Sequence, residues 1–234
     1  MTKYKLILFD LDDTLFDYAS AWEAAAKQTF REFACTAEFD CNQIFGFYHK
    51  YDEELWPMRN RGDITLEQLR HMRFIRTLAE FGKHADESMA DCFQNLFWKN
   101  VHQNIRPDER VNNMLVQLKR SSEIGIVTNG GKEQWRKLKS LDLDGLFPPS
   151  TVFVSEELGL FKPDPQIFHL ARQHFEVEAE HTLFVGDSWD ADVVGACEAG
   201  MAVIWVNSKG RQPLTYHQPI DIVESVLELR QFLG

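Results

Sequence analysis

Five short apolar runs limit what this chain can fold into: Leu6–Phe9, Ile124–Val127, Thr151–Val154, Thr182–Val185 and Ala202–Val206. Each is too short to be a buried helix. None alternates apolar with polar, so each reads as a strand covered on both faces of a sheet. Helical patterns separate the later runs: Lys132–Leu141, Pro165–Phe175 and a stretch from Ser188 to about Ala199. Pro165 suits a first helical turn, where its missing N–H costs nothing. Val111, Met114, Leu115 and Leu118 mark a short helix ahead of Ile124, and Ile220–Val223 reads as a last short strand. Ser225 with Glu228 reads as the cap of a final helix. This alternation predicts an α/β fold, a Rossmann-like parallel sheet with helices on both faces.

Between the first two runs nothing reads as a strand. Trp22, Ala26, Thr29, Phe30 and Phe33 share one helical face, with Asp17 or Ser20 as candidate caps. Ile44, Tyr48, Tyr51 and Leu55 step by helical spacing, with Pro57 beyond them. Arg59–Ile64 reads as a turn. Thr65 with Gln68 forms a capping box ahead of Leu66, Leu69, Ile75 and Leu78. A fourth helix runs from about Asp86 to Trp98, with Met89, Phe93, Leu96 and Phe97 inward. The expected organisation is an α/β core from residues 1–16 and 105–234, with an all-helical domain, 17–104, inserted after the first strand.

The 234-residue chain carries a formal net charge of −11 and a pI near 5.2. It lacks the basic footprint of a nucleic-acid-polymer binder. A small anion is still compatible, since a metal and local cations can hold one against the global field. Cys35, Cys41, Cys92 and Cys197 have no C-x-x-C spacing and no flanking histidines, which argues against zinc and for reduced thiols. The N-terminal apolar run stops at Asp10, too short for a signal peptide or a membrane span. A cytoplasmic protein without a membrane partner is the expectation.

The chemistry-bearing residues cluster at strand ends, where open α/β sheets bind ligands. Asp10 and Asp12 follow the first strand at a spacing that brings two carboxyl groups to one small site, one to attack or bind metal and one to move a proton. Thr128-Asn129-Gly130 ends the second strand with a hydroxyl and amides able to hold phosphate oxygens. Lys162, between apolar residues and a proline, is a candidate fixed cation. Asp187, Asp190 and Asp192 crowd one strand end. Such carboxylates repel unless a divalent cation joins them, and hard oxygens suit Mg²⁺. Asp190 also has an ordinary role available as a helix cap.

Taken in order, these four parts resemble the signature of the haloacid dehalogenase (HAD) superfamily, over residues 1–15 and about 105–234. The resemblance implies roles. Asp10 would be the nucleophile that becomes an aspartyl-phosphate, and Asp12 the acid/base, with its backbone carbonyl on the metal. Thr128, Asn129, Gly130 and Lys162 would bind the phosphoryl group, Lys162 also stabilising the intermediate. Asp187 would ligate Mg²⁺, and Asp192 would be the motif's second acid, with Asp190 as its competitor. An acid at Asp12 favours phosphate-ester hydrolysis, because loss of halide needs no proton. The helical insertion would be a cap that closes over the site and selects the leaving group. Its Tyr48–Trp56, Gly62–Arg70 and Arg73-Phe74 segments resemble the noncanonical pyrimidine nucleotidases. A Mg²⁺-dependent 5'-nucleotidase for pyrimidine monophosphates is therefore expected. A phosphatase for phosphoglycolate or a sugar phosphate, a non-catalytic binding protein on this scaffold and a 2-haloacid dehalogenase are the alternatives. Trp56, Arg59, Arg61, Arg70, Arg73 and Arg76 are candidates for contacting a base or phosphate.

Overall fold

The computed structural model describes residues 3–232; the ends of the core segments, Met1–Thr2 and Leu233–Gly234, lie outside the described residues. Backbone contacts divide the chain into two compact units, Met1–Tyr18 with Arg106–Gly234, and Ala19–Ile105.

The first unit is an α/β fold. Six strands, β1 Leu6–Phe9, β2 Glu123–Thr128, β3 Val152–Val154, β4 Thr182–Gly186, β5 Ala202–Val206 and β6 Asp221–Val223, form one sheet in the order β3-β2-β1-β4-β5-β6. Every pairing is parallel. β1 is central: Leu6 pairs with Glu123 on one side and Thr182 on the other. The order reverses at β1, which opens a crevice at the carboxyl ends of its neighbours. Leu6 and Leu8 point into one core cluster with Ile167, Phe168, Phe184, Val193 and Trp205. Both faces of β1 are buried, as its unbroken apolar run requires.

Flanking helices of this unit are α5 Glu109–Leu118, α6 Glu133–Ser140, α7 Ser155–Leu158, α8 Pro165–His174 and α9 Gly195–Glu198. The helical unit contains α2 Cys41–Asn60, α3 Leu66–Ala79 and α4 Glu87–Asn104, while α1 Tyr18–Glu32 starts at the boundary. Asp164 caps α8 by accepting from the Gln166 N–H at 2.9 Å, with Pro165 next, where its ring is tolerated. The Thr65–Gln68 capping box forms reciprocally, at 2.8 and 3.1 Å.

Four local expectations are revised. α2 runs through Pro57 to Asn60, and Arg61 still donates to the Pro57 carbonyl, so the ring costs one bond without ending the helix. α4 extends six residues beyond Trp98, held by Asn100, whose amide reaches Thr29 at 3.0 Å. Ser188–Ala199 is not one α-helix: Trp189–Val194 is a π-helical turn ahead of α9. The chain's last helical stretch, Val226–Phe232, winds as a 3-10 helix, with Glu228 accepting from the Ser225 N–H at 3.0 Å.

In the helical unit the core is aromatic. Phe74 stacks on Phe93 at 4.5 Å between centroids, and Trp22 stacks on Tyr48 at 5.4 Å. Ile75 is only half-buried; Arg73 and Phe74 take the inward positions on α3 instead. Arg73 pairs with Asp52 and lies over the Tyr48 ring, so its charge is compensated in the core. No described helix is long and apolar enough to cross a membrane.

Candidate active site

β1, β2 and β4 end side by side, and each delivers polar residues to the same edge. Asp10 follows β1 directly; its N–H donates to the Val185 carbonyl at 2.9 Å, which fixes the backbone from which the carboxyl projects. The Asp10 side chain accepts from Lys162 Nζ at 2.5 Å and from Thr14 Oγ1 at 3.3 Å. Lys162 also donates to Asp192 at 2.6 Å. One buried cation thus ties two buried carboxylates.

Lys162 is positioned through its main chain. The Asn129 amide donates to the Lys162 carbonyl at 2.8 Å, and the Lys162 N–H donates back to Asn129 Oδ1 at 2.9 Å. The Gly130 N–H donates to Ser155 Oγ at 3.0 Å. The Asn129 side chain thus holds Lys162, and the Gly130 N–H anchors the start of α7. Thr128 is buried at the end of β2 and accepts from Gln134 at 2.6 Å, which leaves its own hydroxyl proton to donate.

The crowded strand end resolves through the π-turn. Both Asp192 and Val193 donate their N–H to the Ser188 carbonyl, at 3.0 and 3.1 Å. The wider winding brings the Asp192 carboxylate back onto the Ser188 N–H at 2.9 Å, while Asp190 is exposed. Gly186 leaves room for this. A Cβ there would stand 2.4 Å from Asp192 Cγ and Oδ2. Gly186→Ala is expected to force Asp192 off Lys162 and to cost about 1–3 kcal/mol, as overpacking does. A lowered thermal midpoint together with reduced turnover would show it; an unchanged midpoint would count against the tight fit.

Asp10, Asp187 and Asp192 place carboxylate oxygens within 4.8 Å of one another. Burial pushes the Asp10 carboxyl up to about 7, with Lys162 opposing and Asp192 and Asp12 reinforcing the rise. Burial, followed by Asp192, Asp10 and Asp13, pushes Asp187 up to about 8. Burial pulls Lys162 down, but Asp10 and Asp192 outweigh it and hold its ammonium above the ordinary value. Fully ionised, the three acids carry more negative charge than one lysine offsets. A hard divalent cation fits this all-oxygen set.

Asp12 stands apart, in a turn where Asp13 adopts a left-handed φ of 58°. Lys137 of α6 donates to both Asp12 oxygens, at 2.8 and 2.6 Å, and Gln134 donates to Oδ2 at 3.2 Å. Neither residue was singled out in the sequence. The signal was there: Gln134, Lys137, Leu138 and Leu141 follow i, i+3, i+4, i+7 spacing, and all four are buried. Two polar side chains sit on a stripe where apolar ones belong.

The haloacid dehalogenase-like hydrolase pattern matches residues 7–206. The HAD-hydrolase YfnB of Bacillus subtilis (strain 168) is 30% identical over 210 residues, covering 88% of this chain and 86% of its own. The pyrimidine 5'-nucleotidase YjjG of Escherichia coli (strain K12) is 30% identical over 233 residues, covering 99% of this chain and 98% of its own. The orthorhombic crystal structure of YfnB bound to magnesium superposes with a TM-score of 0.85 at 26% identity, covering 99% of each chain. With its ordered motifs converging on one edge of a parallel sheet, the chain belongs to the haloacid dehalogenase-like hydrolases.

Proposed function

We propose that this hydrolase is a Mg²⁺-dependent phosphomonoesterase acting through an aspartyl-phosphate on Asp10, and that its substrates are pyrimidine nucleoside monophosphates. One observation carries the chemistry: the two aspartates of Asp10-Leu11-Asp12 occupy different environments. Asp10 is buried against Lys162 among acids, whereas Asp12 lies outside that group with Lys137. Two carboxyl groups in contrasting surroundings suit a nucleophile and a proton carrier.

In this reading Asp10, Asp187 and the Asp12 backbone carbonyl hold the metal, while Asp192 keeps Lys162 in place. When bound, Mg²⁺ supplies positive charge to the phosphoryl oxygens and to Asp10. Lys162 orients the Asp10 oxygen and offsets repulsion between nucleophile and phosphate. Thr128 donates its hydroxyl proton to a phosphoryl oxygen. Asp12 gives a proton to the leaving alcohol and then takes one from the attacking water. Phosphoryl transfer needs chiefly this positioning and charge compensation. A dehalogenase has no use for the proton carried by Asp12.

The nucleotidase assignment draws support from YjjG, a pyrimidine 5'-nucleotidase whose match spans nearly the whole chain, helical unit included. In this reading that unit is the cap that selects the leaving group. The test is phosphate release with Mg²⁺ from dUMP, UMP, dTMP, AMP, phosphoglycolate, glucose 6-phosphate and p-nitrophenyl phosphate. The highest kcat/KM is expected for the pyrimidine monophosphates. A preference for phosphoglycolate or the sugar phosphate would retain the chemistry and discard the nucleotide. No release from any compound would refute the phosphomonoesterase.

A further inference from the structure

Building on the phosphomonoesterase reading, we propose that Lys137, assisted by Gln134, is a positioning residue for Asp12: α6 presents both side chains to that carboxylate and fixes its direction. Lys137 is only 2% exposed, and its ammonium donates to both Asp12 oxygens and lies 3.6 Å from the centroid of the Tyr18 ring. A buried lysine is expensive to desolvate, and an apolar residue of similar length would fill the same stripe position without that cost. The Asp12 side chain is 24% exposed and projects from a turn rather than from the sheet. Its backbone alone therefore leaves the carboxyl plane free to rotate. Gln134 adds a second restraint and links it to the phosphoryl side, since the same amide nitrogen donates to Thr128 at 2.6 Å. Each aspartate of the motif thus has its own lysine, delivered by a different element: Lys162 for Asp10 and Lys137 for Asp12.

The two chemical steps depend on Asp12 differently. In the first, an Asp10 oxygen bonds to phosphorus, the phosphorus–oxygen bond to the leaving group breaks, and the departing oxygen takes a proton from the Asp12 carboxyl. In the second, a water oxygen bonds to phosphorus, its proton passes to the Asp12 carboxylate, and the phosphorus–Asp10 bond breaks, returning the carboxylate and releasing phosphate. Nitrophenolate leaves without a proton, so for that substrate only the second step needs a well-aimed Asp12. Lys137 acts on the reaction only through the Asp12 carboxyl that it holds.

The experiment is rapid mixing of the full chain and its Lys137→Met variant with p-nitrophenyl phosphate and saturating MgCl₂. The variant is expected to release a fast burst of about one equivalent of nitrophenolate per enzyme, then turn over about 10-fold or more slowly than wild type without a rise in KM. The burst doubles as evidence that the Asp10–Lys162 centre is intact. Lys137→Arg is expected to recover most of the lost turnover. Wild-type kinetics in Lys137→Met, burst and turnover falling together in a folded variant, or an Arg variant no better than Met would each overturn the proposal. Should Lys137→Met fail to fold by circular dichroism, Gln134→Leu takes its place. The same burst with slowed turnover supports the proposal, and wild-type kinetics overturns it. A wild-type chain with no phosphatase activity would bring down the phosphomonoesterase reading and this inference with it. That result differs from an active wild type whose variants are unaltered.

Discussion

Asp10→Asn is expected to abolish turnover, by about 10⁴-fold or more, while leaving the fold intact. The amide matches the carboxylate in shape: its oxygen can still accept from Lys162 and its NH₂ can donate to the Thr14 hydroxyl, so β1 and the sheet have no reason to shift. It cannot form the acyl-phosphate. The substitution also removes one of the three clustered carboxylates, so divalent-metal affinity should fall with activity. Phosphate release on the best compound of the panel, with circular dichroism as the folding control, reads the result. Substantial activity in a folded Asn variant would eliminate Asp10 as nucleophile.

Removal of divalent metal is the second large effect. EDTA is expected to reduce hydrolysis to background, and added Mg²⁺ to restore it. Hydrolysis that survives chelation would refute the metal reading of Asp10 and Asp187. The same site predicts an unusual pH response of the metal-free protein. Asp10 at about 7 and Asp187 at about 8 both lie above their ordinary value of 3.8. Between those limits the folded state binds more protons than the unfolded chain. The contribution of these groups to stability is therefore greatest at the acidic end of the window, and it is lost as pH rises through the folded values. In EDTA, this contribution should lower the unfolding midpoint between about pH 5 and about pH 8. Mg²⁺ should raise the midpoint far more at the alkaline end, where fewer protons compete for the carboxylates. A metal-induced rise that is equal at both pH values would contradict the electrostatics of the acidic cluster.

Much of the α/β architecture was legible in residue order because β1, β2, β4 and β5 are buried on both faces, so their apolar runs are unbroken by polar positions. Asp10, Thr128 and Asp187 were legible for a related reason: they stand where an apolar run stops. What escaped depends on winding and on contacts distant in sequence. Nothing in Trp189–Val194 announces a π-turn, yet that extra width buries Asp192 and exposes Asp190. Pro57 suggested an end to α2, but helix packing overrides a single missing bond. Lys137 was concealed by its type. On an acidic chain a lysine in an amphipathic helix reads as a solvated charge, and only its register with Leu138 and Leu141 says otherwise.

The central place of β1 also bears on how the protein is made. The strand is made before both of its partners, β2 and β4, which lie far along the chain. During synthesis Leu6–Phe9 is an apolar segment with both hydrogen-bonding edges open, while the helices of Ala19–Ile105 have most of their contacts nearby in sequence. Such an order favours early helical folding and late sheet closure, the slow and aggregation-exposed step of long-range strand pairing. Because the entropy of closing a loop grows only logarithmically with its length, the inserted helices add little to that cost. Evolution can therefore vary the insertion without rebuilding the sheet, and the Asp10–Lys162–Asp192 cluster is assembled only once the later half of the chain has arrived.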